Sequence, residues 1–417
     1  MAHHAVTRRS FLQTAACCTA ALAGAGLGAA IPEWLERLGG GTGGAAWAAD
    51  GLPDLLRSAP RARYWASTAS AGVSCFDCHA PGSVSPDEPF AHEGVPVKCG
   101  LCAQECLIAE GERGRCHTRM NVKGELRSLV YGRPIAVHVD PIEKKPFYHF
   151  LPGRLAYSLA TAGCPLSCKF CQNWEISQAR PEDHDSRFVR PEEIVRSAQA
   201  RSAPIIAFTY NEPTVFTEYL TDIARAARPT GLRSVLVSCG FMVEAPLTEM
   251  CEVLDAIKID LKGFSESFYR DVCSAELQPV LRSIRQVARS GKHLEIVNLV
   301  VPTLNDSDAM LVQLAEWVVS EAGPDVPVHF TRFHPDYQLR NLPPTPVATL
   351  ERARAIALDR GIHYAYVGNV PGHPGNNTYC PACGELLIER RGFLIEENRI
   401  RDGKCDKCGQ EIAGVWS

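Results

Sequence analysis

Gly163-Cys164-Pro165-Leu166-Ser167-Cys168-Lys169-Phe170-Cys171 follows directly on the apolar run at 155–160, and the fold of the chain is read outward from that junction. Three thiolates spaced C-x3-C-x2-C on one loop suit three irons of a [4Fe–4S] cluster and leave the fourth iron open to another ligand. A three-thiolate zinc site, or a disulfide with a spare thiol, fits the spacing alone. The surroundings favour the cluster. From about residue 155 to 367, β-branched apolar runs alternate with amphipathic stretches, the pattern of repeated βα units. Strands are predicted at 155–160, 205–209, 234–238, 256–260, 295–300, 328–332 and 362–367. One intervening helix opens on Pro191 and sets Ile194, Val195 and Ala198 on one face; another turns Val280, Leu281, Ile284, Val287 and Ala288 inward. Roughly 30–35 residues per unit predicts an α/β fold, a partial (β/α)6 TIM-like barrel, over 151–372.

Composition bounds the alternatives. The 417 residues are 46% hydrophobic and 22% charged, enough apolar matter for a large core. A net charge of −4 gives no electrostatic footprint for nucleic acid, so no nucleic-acid partner is predicted. Eighteen cysteines in clusters, in a chain too long to need disulfide staples, point to metal.

Barrel enzymes build their sites at the C-terminal ends of the strands. Asn211 and Glu212 close the second predicted strand, Asp260-Leu261-Lys262 the fourth, Val301-Pro302-Thr303-Leu304-Asn305-Asp306 follows the fifth, and His334 stands just beyond the sixth. The cysteine spacing, with Phe170 before the last cysteine, resembles the radical S-adenosylmethionine (SAM) superfamily. That resemblance implies a SAM molecule chelated to the open iron, cleaved by one electron to a 5′-deoxyadenosyl radical that abstracts hydrogen from substrate. It also implies that Glu212, beside Asn211, helps hold the SAM amino group. Asp260-Leu261-Lys262 resembles the Asp-Leu-Lys of the glycyl-radical-enzyme activases, where the aspartate helps hold a cation beside SAM and the lysine pairs with its carboxylate. Residues 301–306 resemble an adenine and ribose wall, and His334 is placed to reach the adenosyl group or substrate. Asp140-Pro141-Ile142-Glu143-Lys144-Lys145-Pro146, His149 to Gly153, Cys171-Gln172-Asn173-Trp174 and Val370-Pro371-Gly372-His373 narrow the resemblance to the radical SAM enzyme of the AmmeMemoRadiSam system, from about residue 96 onward. That family is often labelled activase-like, and the resemblance supplies no substrate. Ser238-Cys239-Gly240 departs from it, since activases commonly carry Asn before the Gly.

Further cysteine modules flank the barrel. Cys99, Cys102, Cys106 and Cys116, in a module over 96–150, provide four thiolates for zinc, an auxiliary Fe–S cluster or two disulfides. Cys380, Cys383, Cys405 and Cys408 have the paired knuckles of a zinc ribbon, over 373–417, with a second auxiliary cluster as the rival. Cys251 and Cys273 read as packing residues. Cys75-Phe76-Asp77-Cys78-His79 matches the C-x-x-C-H attachment pattern of haem c, with zinc or a disulfide as alternatives, inside a stretch at 49–95 otherwise read as linker. Arg8-Arg9-Ser10-Phe11-Leu12 before an uncharged Ala/Gly stretch reads as a twin-arginine signal over 1–48, so export is predicted, with no stable membrane span.

Three functions follow: a radical SAM enzyme, a glycyl-radical-enzyme activase acting on a protein partner, or a periplasmic haem or metal electron-transfer protein. The first two require a reductant such as a flavodoxin or ferredoxin-like donor, and the AmmeMemoRadiSam resemblance adds Memo-like system partners.

Overall fold

Ile205-Ile206-Ala207-Phe208 holds no polar side chain and is buried throughout, as a strand must be when both faces of its sheet are covered. The computed structural model describes residues 51–67 and 95–417, so the twin-arginine segment and Cys75, Cys78 and His79 lie outside the described residues. The central sheet runs β6 (Ala136–Pro141), β7 (Leu155–Ala160), β8 (Ile205–Phe208), β9 (Arg233–Ser238), β10 (Ala256–Asp260), β11 (His293–Val300), β12 (Val328–Arg332) and β13 (Ala365–Gly368), in that spatial order. β7 to β13 are all parallel to their neighbours, so the order of the chain is the order across the sheet. Such an arrangement puts seven strand ends side by side along one edge, where loops from distant parts of the chain converge.

The crossovers are helical: α1 (Pro191–Ala200), α2 (Thr217–Ala227), α3 (Glu244–Val253), α4 (Leu277–Arg289), α5 (Asp308–Glu321) and α6 (Val347–Asp359). α4 buries Val280, Leu281, Ile284 and Val287, the stripe its 3.6-residue period predicts, while Ala288 is only partly covered.

Three elements differ from the sequence reading. β6 pairs antiparallel with β7 and extends the sheet to eight strands. Its Ala-Val-His-Val-Asp-Pro sequence lacks an apolar run because it is an edge strand with mostly half-covered side chains. β13 begins at Ala365 rather than 362: His363 N donates to the loop carbonyl of Pro324, and the first ladder bond is Val328 N of β12 donating to Tyr364 O. The stretch read as linker is folded where it is described: Leu52–Ser58 is helical, and β1 (Trp65–Ser67) pairs with β2 (Val97–Cys99), which pairs with β3 (Leu107–Ile108). Its composition concealed this because only a few of its residues, Leu55, Ala59 and Ala62 among them, are buried.

The N-terminal module, completed by the hairpin β4 (Arg119–Val122) and β5 (Glu125–Ser128), packs around Ala62, Val97, Leu101, Ile108 and Leu126. The C-terminal module has a three-stranded sheet, β14 (Thr378–Tyr379), β15 (Leu386–Arg391) and β16 (Leu394–Asn398), and a small hairpin, β17 (Ile400–Arg401) and β18 (Lys404–Cys405). It shares a core with the barrel, Leu387 and Ile388 packing with Tyr148, Tyr364 and Tyr366. Among the described residues no helix is long and apolar enough to cross a membrane.

A buried ion pair joins the first module to the barrel. Arg119 Nη2 on β4 donates to both oxygens of Glu218 on α2, at 2.6 and 2.8 Å, with side-chain exposures of 1% and 4%. Arg119 Nη1 reaches Arg63 O at 3.0 Å, and Arg63 N donates to the same carboxylate at 2.7 Å. Removing one partner strands a charge in the interior. Glu218→Ala is therefore expected to cost about 3–5 kcal/mol in urea unfolding, with Arg119→Met plus Glu218→Leu recovering most of the loss.

Candidate active site and cysteine clusters

The three-cysteine loop leaves the sheet at the end of β7 through Gly163, whose φ of +91° already favours glycine. A Cβ there would also meet Cys116 O at 2.4 Å and Thr118 Cγ2 at 2.3 Å. The loop is held on every side: Asn211 Nδ2 donates to Gly163 O (2.8 Å), Gln104 Nε2 to Pro165 O (3.0 Å) and Gln178 Nε2 to Leu166 O (2.9 Å). Ser167 N and Lys169 N donate to Cys273 O and Val272 O, at 3.1 and 2.9 Å. Cys164, Cys168 and Cys171 are free thiols, Cys168 buried and the others partly covered. Burial pushes the Cys164 thiol well up, with the Glu212 carboxylate adding to it, and burial likewise raises Cys171. Cys168 is lowered, first by a hydrogen bond from Cys273 and then by the Lys262 cation. Ionising all three in that setting is unfavourable unless a cationic centre takes their charge.

These thiols line a cleft of about 350 Å³ along the strand ends. Its size is that of a small-molecule site. Of the superfamily positions read from the strand ends, Asn211, Glu212, Asp260 and Lys262 line it, whereas His334 and residues 301–306 do not. Glu212 Oε1 accepts from Thr214 N (3.2 Å), Thr214 Oγ1 (2.6 Å) and Ser238 Oγ (2.7 Å), and Oε2 accepts from Cys239 N (2.7 Å). Asn211 uses its amide nitrogen on Gly163, which leaves Oδ1 buried without a hydrogen-bond partner. Asp260 sits between two ammonium groups, Lys258 on its own strand and Lys262 at 3.2 Å. Those lysines hold its carboxyl low against the opposing effect of burial, and Asp260 in turn raises Lys262 well above its ordinary range. Asn305, buried, fastens the 301–306 loop by donating to Lys262 O (2.6 Å) and accepting from Val301 N (2.6 Å). His334 is exposed, with Nδ1 against Pro335 O at 3.2 Å, and stands outside the cleft.

Part of the lining was not anticipated from the sequence. Glu143, Lys144, Lys145, Lys258, Tyr210 and His329 all line the cleft. Lys145 Nζ donates to Asp140 (2.7 Å) and Tyr210 Oη (3.1 Å) and lies 4.4 Å from the Tyr210 ring centre. The Glu143 to Leu151 segment is clamped by Glu295 on β11, which accepts from the amides of Tyr148 and His149 and pairs with His293 (2.9 Å) and His329 (2.6 Å). Lys258 and His329 were legible by period: each lies two residues, hence one strand face, from Asp260 or Thr331. Cys273, read as a packing residue, and Cys239 are buried but adjoin the site, Cys239 in the cleft wall and Cys273 against Cys168.

All fourteen cysteines in the described residues are free thiols, including Cys99, Cys102, Cys106 and Cys116, for which two disulfides were an alternative. Cys380, Cys383, Cys405 and Cys408 place their sulfurs within 4.8 Å of one another, with Cys380 to Cys408 at 3.6 Å and Cys383 to Cys405 at 3.8 Å. This group can hold a metal ion. Cys99, Cys102, Cys106 and Cys116 line a small enclosed pocket together with Pro165, Thr214 and Val215 of the barrel.

Residues 158–317 match the family described as the Radical SAM superfamily. An uncharacterized protein of Methanocaldococcus jannaschii is 44% identical over 318 residues, 76% of this chain and 95% of that one. The pyruvate formate-lyase-activating enzyme of Streptococcus mutans is 22% identical over 37% of this chain and 63% of its own length. The benzylsuccinate synthase activating enzyme of Thauera aromatica is 23% identical over 34% and 45%. Among solved structures, a radical SAM methyltransferase from Sphaerobacter thermophilus aligns with a TM-score of 0.43 at 18% identity, over 57% of this chain and 71% of that one.

Glu143 gives the cleft a pH signature. It is fully buried, Oε1 accepts only from Gly153 N (2.7 Å), Oε2 has no hydrogen-bond partner, and burial raises its carboxyl from 4.5 to about 7. A carboxyl raised on folding contributes stability that is complete below pH 4.5 and lost as the pH climbs through 7. Glu143→Gln removes that dependence. The variant is expected to gain roughly 3 kcal/mol on the wild type between pH 4.5 and 8 in denaturant titrations, the difference cancelling the titration of other groups.

Proposed function

Because the chain belongs to the radical SAM superfamily and is an enzyme of that kind, we propose that Cys164, Cys168 and Cys171 hold a [4Fe–4S] cluster and that SAM occupies the cleft beside them. The observation that carries this is the convergence of three free thiols with an orphaned buried acceptor, Asn211 Oδ1, and a paired cation, Lys262, in the lining of a single cleft. With cluster and SAM bound, the site supplies one electron that breaks the sulfonium C–S bond and yields methionine and a 5′-deoxyadenosyl radical.

The donor set fits an amino acid headgroup. Asn211 Oδ1 is an acceptor with no partner, and an amino group that ligates iron through its lone pair keeps two N–H donors to offer it. Glu212 has Oε1 filled by three donors and keeps one acceptor position on Oε2, so it both fixes the end of β9 through Cys239 N and faces positive charge. Lys262, kept protonated by Asp260, is the group to pair with a carboxylate. Lys145, Lys258 and His329 also line the cleft.

The ribbon quartet is proposed to hold zinc. Four sulfurs at about 2.3 Å from a tetrahedral zinc stand about 3.8 Å apart, and the two sulfur pairs lie at 3.6 and 3.8 Å. A protein substrate, after the relatives named as activating enzymes, belongs to the same proposal, as do a flavodoxin- or ferredoxin-class reductant, Memo-like partners, and export through the twin-arginine segment.

Anaerobically reconstituted protein given SAM and dithionite is expected to release 5′-deoxyadenosine, with Cys168→Ala reducing the release to the level of protein-free controls; equal release from both would contradict the assignment. Cys383→Ser with Cys408→Ser is expected to lower zinc by about one ion per chain and the melting temperature with it, since a structural zinc site contributes directly to folding.

A further inference from the structure

We propose that Lys145 is a nucleophile that captures a carbonyl substrate, an aldehyde or 2-oxo acid, as an imine in the lining of the cleft. Two ammonium groups share one carboxylate there. Lys144 Nζ donates to Asp140 Oδ1 and Lys145 Nζ to Asp140 Oδ2, both at 2.7 Å. Asp140 Oδ2 also accepts from the Tyr210 hydroxyl at 3.0 Å. One lysine is enough to balance Asp140, so the second can give up its proton without stranding a buried charge. Exposure selects which one. The Lys144 side chain is 48% exposed and keeps its charge in water, whereas that of Lys145 is 3% exposed and lines the cleft.

The surroundings of Lys145 suit a reactive amine. Asp140 and Tyr210 Oη take two of the three hydrogens of its ammonium, and no protein acceptor holds the third. Its Nζ stands 4.4 Å from the Tyr210 ring centre, and its backbone N donates to Ile142 O at 2.9 Å, so both ends of the residue are held. Tyr210 has a left-handed backbone, with φ of +73°, a strain of the kind stored at functional positions. Charged and titratable groups face Lys145 from several elements: His138 and Asp140 on β6, Lys144 beside it, Tyr210 beyond β8, and Lys258 on β10. Burial lowers its ammonium from 10.5 to about 8; Asp140 works against this, and Lys144 and Lys258 add to it. Desolvation beside other cations is a known way to activate a lysine toward carbonyl carbon.

The step balances without a co-reactant. The free amine adds to the carbonyl carbon, the C–N bond forms, and the carbonyl oxygen leaves as water with both amine hydrogens. No electron is gained or lost, and hydrolysis reverses the step. The imine tethers the substrate in the cleft that the three thiols share. Its use in hydrogen abstraction rests on the function proposed above, whereas the imine itself does not.

The test treats the anaerobically reconstituted full chain with glyoxylate and cyanoborohydride, which reduces an imine to a stable carboxymethyl amine, and maps the modified lysines by mass spectrometry. Lys145 is expected to be labelled about tenfold faster than Lys144 at neutral pH, its rate rising with a midpoint near pH 8. Lys145→Arg, which keeps a cation beside Asp140, is expected to remove the fast phase of incorporation. Labelling confined to other lysines, or Lys145 labelled no faster than Lys144, would overturn the proposal. Should the Lys145→Arg protein not fold, the wild-type peptide map and its pH profile decide alone. Lys145 labelled in a protein that releases no 5′-deoxyadenosine from SAM would sink the catalytic assignment and leave this one standing; release without labelling does the reverse.

Discussion

Everything at the catalytic end depends on one close approach, the Cys116 carbonyl and Thr118 methyl against the backbone of Gly163. No side chain fits between them, so the first module and the first barrel strand are in van der Waals contact where the chain turns into the three-cysteine loop. The Arg119 and Glu218 pair holds the same two bodies together a few residues away. Desolvating that pair is costly, and its full hydrogen bonding offsets the cost only while both partners remain. The clamp fixes the loop that carries Cys164, Cys168 and Cys171 before any metal arrives.

Charge explains how the cleft holds so many ionisable groups. Lys145 is paired with Asp140, Lys258 and Lys262 with Asp260, and Glu212 is held by neutral donors rather than cations. Negative and positive groups alternate along the strand ends, and each is buried only with a partner. Glu143 is the exception, a buried carboxyl lacking a cationic hydrogen-bond partner, and its raised pKa is the direct consequence.

The parallel sheet was legible because each central strand is a continuous apolar run, and α4 because its stripe repeats at 3.6 residues. β6 was not, since an edge strand need bury only part of itself, and its His138 and Asp140 look like loop residues. Within the site, Asp260 and Lys262 were found from a three-residue motif, whereas Glu143 and Lys145 depend on a clamp by Glu295 that joins positions some 150 residues apart, for which local pattern has no signal. Cys273 looked like packing because a π-helical turn, Tyr269–Cys273, brings it to Cys168 only in three dimensions.

The central claim is that the three-cysteine loop presents an open iron to the amino and carboxylate groups of SAM. Electron–nuclear double resonance on the reduced cluster, with SAM labelled at the amino nitrogen and the carboxylate oxygen, measures that contact directly. The account predicts hyperfine coupling from both labels in the wild type and its loss from the nitrogen when Asn211 is replaced by Leu. A reduced cluster with SAM bound and no coupling to either label would contradict it.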